Sequence, residues 1–183
     1  ADDDVIFTDT IEKCIRFLNT FFEYSACHGS YINFQEDQEF KITSLYYYSK
    51  GNDMNTPIRR LSEAVQNYNL TFYAVHRAEI LKRAMKVASS FKQLLFQEIG
   101  ASVITQMYGK VHRLNEIYMA RNEDVSIAST GWHPHQLIPE NTEDMFKQYV
   151  KYRNKLIEEL KIIKNPNEKT NYATGNLINI IDI

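Results

Sequence analysis

Glycine and proline are scarce, at six and four among 183 residues, about half their usual share or less. So few chain breakers disfavour a turn-rich sandwich or barrel and favour long helices. No run of 18 apolar residues occurs, so no segment reads as a membrane-spanning helix. Neither sign of charge is in excess: 21 Lys and Arg stand against 23 Asp and Glu, a formal net charge of −2. That balance disfavours a broadly basic nucleic-acid binder. Chemical motifs are also missing. There is no His-Glu-x-x-His pattern, Asp-rich calcium loop, Gly-x-Ser-x-Gly elbow or Gly-rich phosphate loop. Only His133 and His135 are close, flanking Pro134, and a metal site needs three or four ligands. The repeated Glu and His positions of cofactor-holding bundles are absent too. The expectation is a non-enzymatic protein without metal or cofactor.

What is present is helical periodicity. Asp9 with Glu12 resembles a capping box, and Ile11, Cys14, Ile15, Leu18, Phe21 and Phe22 follow at helical spacing, predicting a helix over 9–24. Asn33 with Glu36 offers a second start, running to Lys50 and stopped by Gly51. Phe40, Ile42, Leu45 and Tyr46 to Tyr48 also suit a strand. Thr56-Pro57 places a cap before a first-turn proline. Apolar positions from Ile58 to Ile99 then keep helical spacing up to Gly100, with a break near Asn67 and Asn69. Ser102 opens another helix, with Val103, Met107, Val111, Leu114 and Tyr118 on one face. Residues 122–140 lack helical period and read as a surface loop. Asn141 with Asp144 caps a last helix whose face is Met145, Tyr149, Tyr152, Leu156, Leu160 and Ile163. The tail over 165–183 is apolar at its end and is expected to pack back on the bundle. The predicted fold is all-α: one domain, an irregular bundle of five or six helices, with a flexible start over 1–8.

Three features bear on compartment. The chain starts Ala1-Asp2-Asp3-Asp4, as a cut secretory start does. Asn69-Leu70-Thr71 is a glycosylation sequon. Cys14 and Cys27 make an even pair. On one unbroken helix they would stand about 20 Å apart, whereas a disulfide needs Cα atoms within about 7 Å. Pairing therefore requires the first helix to stop before Cys27 and the chain to fold back. The alternative is two reduced cysteines, one of them core packing. The acidic start, the early cysteine pair and the Asn-, Ile-, Lys- and Tyr-rich helical body resemble the small secreted α-helical proteins in the saliva of blood-feeding insects. That resemblance implies a secreted modulator of a host haemostatic or immune factor.

Two features suggest contact surfaces. Between His76 and Gln93, Arg77, Lys82, Arg83, Lys86 and Lys92 stand against Glu79 alone. Such a helix face attracts sulfated glycans or an acidic protein patch, though it is equally a solvated outer face. Tyrosine is abundant, at 12 residues, and Tyr46, Tyr47 and Tyr48 are consecutive, so on a helix at least one ring is exposed or at an interface. The expected function is a secreted binding protein acting through surface contacts on an extracellular protein or sulfated glycan. The alternatives are a carrier of a small apolar ligand in an aromatic-lined helical pocket and an intracellular or viral interaction protein.

Overall fold

A computed structural model describes residues 4–36, 40–47, 50–67, 71–122, 142–163, 178 and 181. The fold is mixed α/β, which overturns the all-α bundle: among the described residues, five helices accompany a five-stranded mixed sheet. In chain order the elements are β1 (Val5–Ile6), α1 (Thr8–Thr20), β2 (Tyr24–Glu36), β3 (Phe40–Tyr47), α2 (Pro57–Gln66), β4 (Val75–His76), α3 (Ala78–Ala88), α4 (Leu94–Tyr108), β5 (Lys110–Asn122) and α5 (Thr142–Ile162).

The sheet runs β1-β5-β2-β3, with β4 on β2 as well. β2 and β5 are parallel, from Tyr24 opposite Lys110 to Phe34 opposite Asn122. A parallel pair needs a long crossover, and α2, α3 and α4 supply it. β3 returns on β2 as an antiparallel hairpin, with Phe34 opposite Ile42 and Ile32 opposite Leu45. The helix expected over Asn33–Lys50 is therefore two strand segments. Its aromatic and β-branched side chains pair across strands, which outweighs the cap-like Asn33 and Glu36.

Other expectations are corrected in the same way. The start expected to be flexible contributes β1, whose Val5 and Ile6 pair with Ala120 and Met119. The first helix ends at Thr20, not near residue 24, and Asp9 lies in its first turn, while Phe7 occupies the cap position. The long periodic stretch from Ile58 to Gly100 divides into α2, β4, α3 and the start of α4. Thr56 does cap α2, accepting from the Arg59 amide at 3.4 Å, with Pro57 in the first turn and Asn67 at the end. Ser102 lies inside α4 and does not start it. Val111, Leu114 and Tyr118, read as one helix face, are strand residues of β5. The 122–140 loop, apart from Asn122 at the end of β5, lies outside the described residues.

Among the described residues, two large clusters and a small one of Ile32, Phe34 and Ala120 make the core. On the sheet, Cys14 and Leu18 of α1 pack with Cys27, Tyr31, Tyr118 and Met119. Thr10 donates its hydroxyl to the Ile117 carbonyl at 2.7 Å, fastening α1 to β5. The second cluster lies among the helices: Leu61, Ala84, Phe96, Ile104, Met107, Tyr152, Leu156 and Leu160 are among its members, with Phe91 from the α3–α4 connection. Of the apolar tail, Ile178 and Ile181 are described, and both pack into this cluster, Ile181 fully buried.

Buried polar groups tie the helices to the sheet. Arg60 of α2 donates to the carbonyls of Gln106 and Met107 at 2.7 and 2.8 Å, two of the carbonyls that the end of α4 leaves without helical partners. Asn52 exchanges backbone hydrogen bonds of 2.8 Å with Val111 of β5. Its amide donates to the Arg60 carbonyl and to Gln106 Oε1, both at 2.9 Å.

Candidate functional site

α4 reads as nearly continuous apolar sequence, and Gly100 to Met107 are all buried. Its N-terminal turns emerge from the core beside the first turns of α5. Between them lies a groove of about 400 Å³ lined by Leu95, Phe96, Ile99, Thr142, Met145, Phe146 and Tyr149. Six of these seven side chains are apolar or aromatic. Phe96 and Met145 are buried and form the floor, whereas Phe146 is 65% exposed. Phe96 meets Tyr152 with ring centroids 5.4 Å apart, and Tyr152 in turn meets Phe91 at 5.7 Å and Tyr149 at 6.4 Å. Aromatic pairs at such distances stabilise the packing beneath the groove by about 0.5–1.5 kcal/mol each. Charged pairs stand at the same ends of the helices: Lys92 with Asp144 at 3.3 Å and Lys147 with Glu143 at 2.6 Å.

The groove volume lies within the range of about 300–1,000 Å³ typical of small-molecule sites. Its lining carries no carboxylate, amine, imidazole or thiol, so what it offers is chiefly apolar contact, with the Thr142 and Tyr149 hydroxyls as its polar groups. Among the described residues, no group of three His, Cys, Asp or Glu side chains is placed to hold a metal ion, and no helix is long and apolar enough to cross a membrane.

The residues singled out from sequence lie elsewhere and serve several ends. Arg77 turns inward: its guanidinium donates to the carbonyls of Tyr24, Leu18 and Phe21, closing the C-terminal end of α1. It also stacks 5.4 Å over the Phe22 ring. Arg83 is engaged by Glu159 of α5. Lys82 is exposed and paired with Glu79 at 2.9 Å, whose carboxylate holds its pKa above the usual lysine value. Lys86 is exposed in the last turn of α3. The four cations thus do not form one outward face. Tyr46 and Tyr47 belong to β3, with Tyr47 opposite Tyr31. Tyr48 and the sequon residue Asn69 lie outside the described residues, as do Trp132, His133 and His135.

Cys14 and Cys27 do come together across α1 and β2. Both are fully buried free thiols. The hydrogen bond with Cys14 and then burial push the Cys27 pKa well above the usual thiol value. Helix α1 stops before Cys27 and the chain folds back, the geometry that pairing requires, but no disulfide links them.

The groove residues Leu95, Met145 and Tyr149 sit on sequence stripes that predict core, and nothing in a stripe tells which positions are covered. The available signal was Phe146, a large aromatic displaced from the Met145–Tyr149 stripe onto the polar side of α5. No family model matches the chain, and no curated protein is similar to it.

Proposed function

We propose that this chain is a non-enzymatic, extracellular binding protein whose ligand carries a short apolar chain or ring and lies in the α4–α5 groove. The observation that carries this reading is the groove itself: a buried floor of Phe96 and Met145, an exposed Phe146 at the lip, and no carboxylate, amine, imidazole or thiol in the lining. Each methylene moved from water onto such a floor contributes about 0.8 kcal/mol. Support for a basic contact face on α3 is weaker, because Arg77 and Arg83 are spent on backbone carbonyls and on Glu159. The extracellular placement rests on the sequon at Asn69 and the facing cysteines.

Titration with a fluorescent naphthalene sulfonate dye, followed by displacement with dodecanoate, tests the reading. Native protein is expected to bind one dye per chain and to release it to dodecanoate. Phe146→Glu should weaken dye binding about tenfold, the loss of one aromatic contact worth about 1.4 kcal/mol, with little change in melting temperature because Phe146 is exposed. Dye binding that is absent, or unchanged in Phe146→Glu, contradicts the proposal.

A further inference from the structure

A second cavity, of about 470 Å³, lies where the parallel strands begin, lined by Tyr24, Lys50, Gly51, Asp53, Val111, His112, Arg113 and Asn115. It belongs to a different part of the fold from the apolar groove, and its lining has the opposite character. One wall is the segment 50–53, laid along β5 by the Asn52–Val111 backbone pair. Asn52 is locked beneath that wall by its bonds to Arg60 and Gln106. The contact is so close that a Cβ at Gly51 would stand 2.6 Å from the Val111 carbonyl oxygen, a position only glycine fills without a shift. The facing wall is β5. Its His112 ring stacks on Phe17 at 4.0 Å and 10°, and meets the Tyr24 edge at 5.8 Å. Burial lowers the His112 pKa. Arg113 is steadied by a 3.0 Å bond to the Ser30 hydroxyl, and Lys110 sets its ammonium 5.9 Å from the Tyr24 ring centre.

The cavity therefore has fixed walls and three formal charges in its lining: the cations Lys50 and Arg113 and the carboxylate Asp53. Cations that line a concave site attract anions before any contact is made, and the guanidinium fork matches an oxyanion edge. We infer that this cavity binds a small organic anion, its phosphate, sulfate or carboxylate held by Lys50 and Arg113 and a neutral hydroxyl or amine-bearing part donating to Asp53. The two signs of charge give the site its selectivity. The carboxylate weakens the hold on a bare anion without abolishing it, and rewards a ligand that brings its own donor.

Amide chemical-shift titration of the full chain with inorganic phosphate, sulfate and acetate, each to about 20 mM at matched ionic strength so that general screening cancels, tests the inference. Saturable shifts confined to Gly51, Asp53, His112 and Arg113 support it, and the arm that saturates first identifies the oxyanion. Lys50→Gln should weaken that anion about fivefold or more, whereas Asp53→Asn should strengthen it, as Coulomb's law requires near a protein surface. Lys86→Gln, far along α3, should change nothing. Shifts that do not saturate, or equal weakening by Lys50→Gln and Lys86→Gln, overturn it. A result here leaves the apolar groove untouched, since Ile99 and Phe146 are read separately in the same spectra.

Discussion

Arg83 grips Glu159 through two parallel hydrogen bonds, Nε to Oε2 at 2.9 Å and Nη2 to Oε1 at 3.0 Å. The pair binds α3 to α5. It is asymmetric, because the Glu159 side chain is 6% exposed and that of Arg83 41%. The Tyr108 hydroxyl donates to the same carboxylate at 2.7 Å. Burial and that carboxylate push the Tyr108 pKa up to about 12.

The asymmetry predicts unequal mutants. Arg83→Ala leaves a buried carboxylate held by the Tyr108 hydroxyl and is expected to cost about 2–3 kcal/mol, less than a fully buried pair because Arg83 is partly solvated. Glu159→Leu leaves a cation that water can reach and should cost less. Urea midpoints of the two variants check this; equal midpoints would show that burial of Glu159 does not set the cost.

Stability should fall on mild acidification. Burial lowers the His28 pKa from 6.5 to about 4, and Arg113, His112 and His76 oppose its protonation further. Its Nδ1 lies 2.8 Å from the Gly29 carbonyl, which accepts from it. Above pH 6.5 folded and unfolded chains are both neutral at this site and stability is level. Below 6.5 the unfolded chain takes the proton first, so stability drops until the folded site protonates near 4. The full loss is about 3 kcal/mol. His76, also lowered by burial, adds in the same direction. Melting temperature against pH measures the slope, and His28→Leu should flatten it.

β2 and β5 approach closely at Gly29. A Cβ there would stand 2.4 Å from the Glu116 carbonyl oxygen and 2.9 Å from Tyr118 Cβ. Gly29→Ala is expected to destabilise by about 1–3 kcal/mol, the usual cost of overpacking. An unchanged denaturation midpoint would mean that the two strands separate at no cost.

The thiols give a test of compartment. Cys14 and Cys27 are buried, and Cys27 is held in its protonated, unreactive form. A thiol reagent should label neither in the reduced native protein and both in urea. Material from an oxidising compartment should instead lack two hydrogens by intact mass. Rapid native labelling would contradict the burial.

Sequence alone made the helices with sharp ends legible. Thr56-Pro57 marks α2, and the spacing from Met145 to Leu160 marks α5. The strands were hidden for a physical reason. β2 is covered on both faces, with Ser25 to Gly29 and Tyr31 to Phe34 all buried, so it shows no alternation of polar and apolar residues. Register shifts near Ser30 disturb what period remains. In β5, Val111, Leu114 and Tyr118 fall at intervals of three and four and imitate a helix stripe. The groove was half legible: the spacing names its residues as core, and only the packing of α4 against α5 leaves that stretch uncovered.

The most direct measurement is an NMR spectrum of the chain with dodecanoate, read for cross-relaxation between ligand methylenes and protein side chains. The prediction is contact with the methyl groups of Leu95, Ile99 and Met145 and with the Phe146 ring. Contacts confined to any other surface, or none at saturating ligand, would contradict a binding protein that works through the α4–α5 groove.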